Sequence, residues 1–220
     1  AQTAPSPGPH RALTAGSAPL AFRRRRRYNG GVAEFRLLGP LEAVGDDGEP
    51  LVLGGQKQRA VLALLLLRAN RVVSTDFLVD ALWGDNPPRT ATTSLQNSIS
   101  ALRKLLGPAA LVTRAPGYML VVPAEASDLA QFEARVAEAR TLQPDGRADK
   151  LREALALWRG DPLSDVGFEP SVEADIRRLE ELRVTTVEDR IDADLACGRF
   201  GDVVPELVAL VTAHPLRERL

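Results

Sequence analysis

Apolar residues recur at intervals of three and four near the middle of the chain. On a helical wheel Leu95, Ile99, Leu102 and Leu106 share one narrow stripe, and Thr90, Thr93, Asn97, Ser100 and Lys104 fall on the opposite face. Gln96 and Arg103 sit together on one flank, with Arg89 near the start. The spacing predicts a helix over Arg89–Leu106, although Thr, Ser and Asn are indifferent helix formers. Upstream, "AEFRLLGPLEAV" and "PLVL" read as short strands separated by the turn-rich Gly45–Pro50. Gln56–Ala69 predicts a helix that is apolar on most sides from Val61 to Leu67, and therefore a core helix. "RVVS" reads as a short strand. "STDFLVDALWG" reads as a second helix, capped by Ser74 or Thr75 and stopped by Gly84. "DNPP" is a rigid loop, because two prolines exclude regular helix and suit a helix starting just after them. Beyond Gly107 and Pro108, "LVTRAPGYMLVV" places two apolar strands around Pro116 and Gly117, a pair that suits a type II turn.

From Asp128 onward the periodicity is helical. Leu129, Phe132, Val136 and Ala139 mark one helix, for which Asp128 reads as the N-cap, and Leu151, Ala154, Leu155 and Trp158 mark a second. "GDPLSDVGFEPS" is a loop. Val172, Ile176, Leu179, Leu182, Val187, Ile191 and Leu195 then predict a long helix or a pair, closed by Gly198, and a last helix spans Asp202–Ala213. Gly198, Phe200 and Pro215 fall at spacings typical of a tetratricopeptide helix pair, though Gly and Pro end most helices. "HPLRERL" reads as the opening of a further pair. The expectation is therefore a chain that continues past Leu220, with Val204, Leu207, Val208 and Val211 incompletely covered.

The order strands, helix, strand, helix, tight loop, helix, hairpin is that of a winged helix-turn-helix with a sheet in front. The fold class expected is thus an α+β winged helix-turn-helix domain followed by an all-α, tetratricopeptide-like domain. Residues 1–32 form a basic tail, 33–124 the winged helix and 125–220 the helical repeats. In winged helix-turn-helix modules the second helix of the motif enters the major groove. Arg89, Thr90, Thr93, Gln96, Asn97, Ser100, Arg103 and Lys104 are then candidates to meet base edges and phosphates, and Arg114 in the wing could reach a phosphate or the minor groove. A polar outer face alone belongs to every surface helix. This one is set apart by its small hydroxyl and amide residues, and by the absence of any acid between Asp85 and Glu125. Tyr118 and Trp83 read as packing residues rather than DNA contacts.

Charge sharpens the division. Residues 1–33 carry six arginines and no acid, residues 34–124 nine basic against eight acidic residues, and residues 125–220 thirteen against twenty-one. Different partners are expected at the two ends. The Pro, Ala, Gly and Ser of residues 1–31 predict disorder, and Arg23–Arg27 would add non-specific attraction to phosphates or belong to a plain tail. Cys197 is the one cysteine, and His10 and His214 are the two histidines. A disulfide framework and a His/Cys metal cluster are thereby excluded, and a His-based triad is not expected. No "GxxxxGK[ST]" loop occurs, no cofactor is implied, and the carboxylates at helical surface spacing beside Arg read as solvated faces. A non-enzyme is expected. The longest apolar run, Ala60–Leu67, is too short for a bilayer, and the segment after Arg23–Arg27 lacks a signal's apolar stretch, so a cytoplasmic location and no membrane partner are expected.

"FRLLGPLEAV", "LGGQKQRAVLALLLLRANRVVSTDFLVDALWG", "SLQNSISALRKLLG" and "RAPGYMLVV" together resemble the SARP family, actinomycete activators of antibiotic pathways. These have an OmpR-type winged helix followed by a bacterial transcriptional activation domain. Order, spacing and the wing's Arg114, Gly117 and Tyr118 agree with that resemblance. It implies binding to promoter direct repeats as side-by-side protomers and recruitment of RNA polymerase through its primary sigma factor. It also implies a polymerase-facing loop at Gly84–Arg89, with Asp85, Asn86, Pro87 and Pro88 as contacts. Some larger members continue into an ATPase domain. The competing expectation is a protein-interaction module whose winged helix is a docking domain.

Overall fold

In the computed structural model, residues 32–167, 172–201, 203–215 and 217 are described. The basic tail read from the sequence, apart from Val32, lies outside them, as do residues 216 and 218–220 of the last expected helix pair. Strands β1 (Val32–Arg36) and β2 (Glu42–Gly45) form an antiparallel hairpin. Helix α1 (Gln56–Leu67), strand β3 (Val73–Ser74), helix α2 (Thr75–Trp83), helix α3 (Ala91–Leu106) and strands β4 (Leu111–Arg114) and β5 (Gly117–Leu120) come next. The second sheet has the antiparallel order β3-β5-β4. A single 3-10 turn, Ala124–Ala126, leads into α4 (Asp128–Ala139), α5 (Pro144–Leu155), α6 (Glu173–Ala196) and α7 (Val203–Ala213). This is a winged helix followed by a helical domain.

Helix α1 is buried along Ala60–Leu66, as a helix apolar on all sides must be, and the other elements of the winged helix gather around it. Helix α2 starts where Ser74 Oγ accepts from the Phe77 amide at 3.1 Å and ends at Gly84, whose φ of 57° favours glycine. Helix α3 buries Ala91, Leu95, Ile99, Leu102 and Leu106, the stripe read from the sequence with Ala91 added.

Four local expectations differ from what is observed. "PLVL" forms no strand: Leu51 donates to Ala43 O at 2.8 Å and Pro50 bridges to Val44, but Val52 is 87% exposed, with no neighbour to pair against. The wing turn is not type II with Pro116 and Gly117 at its centre. Arg114 pairs with Gly117, so the central residues are Ala115 and Pro116, joined by a cis bond. The cap of α4 is Ser127, whose Oγ accepts from the Ala130 amide, and Asp128 is the first helical residue. The long helix or pair is one helix of 24 residues, in which Leu195 is 37% exposed while Thr186, Glu188, Arg190 and Asp194 are buried.

The change at Asp128 has a physical reason. Its carboxylate is committed to the turn between β1 and β2. Leu37 N donates to Oδ1 and Oδ2 at 2.9 and 2.8 Å, Leu38 N to Oδ2 at 3.0 Å, and Leu129 N to Oδ1 at 2.7 Å. Burial pushes this carboxyl above its ordinary range, and the three amides and Arg159 pull the other way. The same turn is held from the loop after α5. Arg159 N donates to Leu38 O at 2.7 Å, Leu163 N to Gly39 O at 2.7 Å, and Asp165 Oδ1 accepts from Leu41 N at 2.8 Å. Gly39, at φ 150°, lies so close that a Cβ there would stand 2.9 Å from Arg159 Cβ.

Packing crosses the junction in both directions. Leu38 belongs to the helical core with Phe132, Val136, Leu151 and Trp158, whereas Leu163, Val166 and Val172 pack into the core around α1. Arg59 pairs with Asp165, and Arg68 pairs with Asp175 at 2.7 Å while lying over the Phe77 ring. Each of the two cores thus takes residues from both sides of residue 124. Among the described residues, no helix is long and apolar enough to cross a membrane and no group of His, Cys, Asp and Glu could hold a metal ion.

The Asp128 junction is testable by substitution. Asp128→Asn turns one acceptor into a donor facing backbone amides and is expected to cost about 2–3 kcal/mol, because buried donors lose their partners. Urea unfolding followed by circular dichroism measures this, and a midpoint equal to that of the unaltered protein would contradict the assignment.

Candidate nucleic-acid interface

Helix α3 packs on α1, α2 and β4 through its apolar stripe and turns the opposite face outward. Thr90, Thr93, Gln96, Asn97, Ser100 and Lys104 are all exposed, and so is Arg89 just before the helix. Thr90 stands at the N-cap position, yet its side chain makes no capping bond. Ser98 is half-buried and its hydroxyl donates back to Ser94 O at 3.1 Å, which keeps it off the outer face. Thr92 is also exposed and lies on the flank of Gln96 and Arg103, a position absent from the sequence-based candidates. Its wheel position borders the apolar stripe, so only the packing of the first turn shows that nothing covers it.

The loop into α3 is braced from below. Lys57 Nζ donates to Leu82 O at 3.3 Å and lies 4.3 Å from the Trp83 ring centre. That contact occupies a carbonyl of the last turn of α2, where a cation also complements the helix dipole. Beyond it Asp85, Asn86, Pro87 and Pro88 are exposed. Trp83 and Tyr118 are partly buried and pack against the α1 core, in keeping with the packing role read for both.

The wing is a two-residue hairpin with Arg114 exposed at its mouth. Its base is fixed by β3, through Val73 opposite Tyr118 and Ser74 opposite Gly117, and Thr75 N donates to Pro116 O at 3.2 Å. Gly117 is required by this approach: a Cβ there would lie 1.9 Å from Val73 O. The glycine that looked like a turn residue is thus a close-packing residue.

Arg103 differs from its neighbours. It is half-buried; its Nε donates to Leu111 O at 2.8 Å, its Nη2 donates to Thr113 Oγ1 at 2.6 Å, and its guanidinium carbon lies 5.8 Å from the Tyr118 ring centre. Eight of the nine candidate side chains are therefore exposed on α3, just before it or in the wing, within a stretch of chain that carries no acid, and the ninth, Arg103, is half-buried and bonded to the wing. Cations at Arg89, Lys104 and Arg114 with amides and hydroxyls between them make a surface able to neutralise phosphates and to offer donors and acceptors to base edges.

Residues 48–120 match the family described as "Transcriptional regulatory protein, C terminal", and residues 127–220 match the "Bacterial transcriptional activator domain". Among curated proteins, the chain is 42% identical over 195 residues to the regulatory protein AfsR of Streptomyces coelicolor, covering 86% of this chain and 19% of that one. It is 37% identical over 202 residues to the regulatory protein DnrI of Streptomyces peucetius, covering 85% of this chain and 74% of DnrI. It is 40% identical over 197 residues to the transcriptional regulatory protein EmbR of Mycobacterium tuberculosis, half of whose length it spans. A solved structure of Mycobacterium tuberculosis EmbR, in complex with a low-affinity phosphopeptide, superposes with a TM-score of 0.79 at 38% identity, covering 86% of this chain and 52% of that one.

The close approach at Gly117 yields a direct test. Gly117→Ala is expected to separate β5 from β3 and to destabilise the protein by more than about 2 kcal/mol, since backbone rather than a flexible side chain must move. Thermal unfolding measures it, and an unchanged melting temperature would show that the approach is not as close as described.

Proposed function

Since this chain belongs to the SARP family of transcriptional regulators, we propose that it binds promoter DNA and activates transcription by bringing RNA polymerase to the site. In this reading residues 33–124 are the DNA-reading unit and residues 125–220 the activation unit. Helix α3 enters the major groove. Asn97 and Gln96 offer the amide pairs suited to adenine, Thr93 and Ser100 hydrogen-bond bases or phosphates, and Arg89 and Lys104 neutralise phosphates. Arg114 follows the neighbouring backbone or the minor groove from the wing.

The observation that carries the reading is the exposed polar face of α3. Thr93, Asn97, Ser100 and Lys104 are exposed on one side of the helix, Arg114 is exposed in the wing, and no carboxylate occurs in the chain between residues 86 and 124. A helix face that merely met solvent would have no reason to exclude acid over that length.

Promoter direct repeats occupied by side-by-side protomers, control of antibiotic genes and contact with the primary sigma factor extend the same proposal. They rest on membership of the SARP family. Asp85, Asn86, Pro87 and Pro88 project from the opposite end of α2 and are the residues we assign to polymerase. A protein of this kind has no need of catalysis, and its place of work is the cytoplasm.

Gel shifts over a range of salt test the reading. The unaltered protein is expected to bind a promoter fragment at least about a hundredfold more tightly than random DNA. Lys104→Ala and Arg114→Ala are each expected to weaken binding and to lower the slope of log affinity against log salt by about one, the loss of a single phosphate contact. Equal affinity for promoter and random DNA would instead favour the docking module. For the polymerase loop, replacing Asp85 and Asn86 by Ala is expected to leave promoter affinity unchanged and to reduce transcription in vitro.

A further inference from the structure

The one candidate cation that bonds to the wing points to a division of labour among these residues. We propose that Arg103 is a positioning residue, which sets the angle of the wing to the recognition helix and contacts no phosphate itself. The proposal rests on the DNA-binding reading of α3 and the wing.

Its guanidinium grips both strands of the wing. On β4 it reaches Leu111 O through Nε at 2.8 Å and Thr113 Oγ1 through Nη2 at 2.6 Å. On β5 it faces the Tyr118 ring at 5.8 Å, and Tyr118 is the cross-strand partner of Thr113. One planar group thus spans the hairpin from side to side. Arginine suits this task where lysine does not, because its N–H groups leave in fixed directions from a plane that can also face an aromatic ring.

The grip matters because the covalent link between α3 and β4 is short and permissive. It consists of Gly107, at φ 90°, followed by Pro108, Ala109 and Ala110. Gly107 N still donates to Arg103 O at 2.9 Å, so the same residue caps the helix with its backbone and anchors the wing with its side chain. The pairing of β3 with β5 holds the wing from its other edge. Without Arg103 the hairpin would remain attached to β3 and to the apolar core it shares with α3, but would lose the guanidinium tie that fixes its angle to the helix that reads bases. Arg114, one residue beyond Thr113, would then be free to miss the backbone that α3 has selected.

Three substitutions in the full chain separate this role from a phosphate contact. Arg103→Lys keeps the charge but not the fork, and is expected to lose promoter affinity about tenfold with an unchanged salt slope. It is also expected to speed hydrogen exchange at the amides of Thr113 and Tyr118, read without DNA. In an Arg114→Ala background, Arg103→Ala is expected to cost little more, since the wing contact it serves is already gone. The proposal is overturned if Arg103→Lys binds as the unaltered protein does, or if Arg103→Ala lowers the slope by one and its loss adds to that of Arg114→Ala. If Lys104→Ala and Arg114→Ala weaken binding while the Arg103 variants do not, this assignment alone fails. If all of them leave promoter binding unchanged, the DNA-binding reading fails with it.

Discussion

The turn between β1 and β2 cannot satisfy its own backbone. Leu37, Leu38 and Leu41 are buried, and their amides find acceptors only in the second half of the chain, at Asp128 and Asp165. The Leu37, Leu38 and Gly39 carbonyls accept amides of Leu163 and Arg159 in return. A buried amide left unpaired costs on the order of 1–3 kcal/mol, so this exchange is a condition for both halves to close. Leu38 can then insert into the helical core and Val166 and Val172 into the other. The helical half consequently has a fixed seat on the winged helix, and whatever it touches is presented at a set distance from α3.

The wing is governed by the same kind of accounting on a smaller scale. Its strands are short, and a two-stranded hairpin of this length is marginal by itself. Contact with β3, made possible by the missing side chain at Gly117, and the tie to Arg103 together give it a defined place. The position of Arg114 relative to α3 depends on these two contacts.

In the helical half, charge is buried on purpose. Asp194 is 1% exposed and receives Arg190 at 3.0 Å, Arg199 at 3.4 Å and Arg152. Arg190 continues to Glu206 on α7, and Arg199 to Asp149 and Asp145 on α5. One carboxylate thereby joins α5, α6 and α7. Removing a single member of such a set leaves the others desolvated without a partner, the costly case for buried ions. Helix α7 has Val203 buried and Leu207 half-buried, whereas Val204, Val208 and Val211 are exposed.

The sequence by itself determined the fold class, the order of the elements and the outward face of α3. Those depend on short-range periodicity: apolar residues three and four apart must share a side, and a helix apolar all round must be central. It also marked the acid-free window and the family. It misjudged Gly117, Asp128 and the stripe of α6, and for one reason. Each of these residues takes its role from a partner distant in the chain or across a packed interface: Val73 O for Gly117, the Leu37 and Leu38 amides for Asp128, and Arg152 and Glu206 for the charges of α6. Local pattern can say which side of an element is buried. Which polar group is buried with it, and which of several like cations bonds to the wing, was decided only when the tertiary structure brought unsatisfied donors and acceptors within about 3 Å of one another.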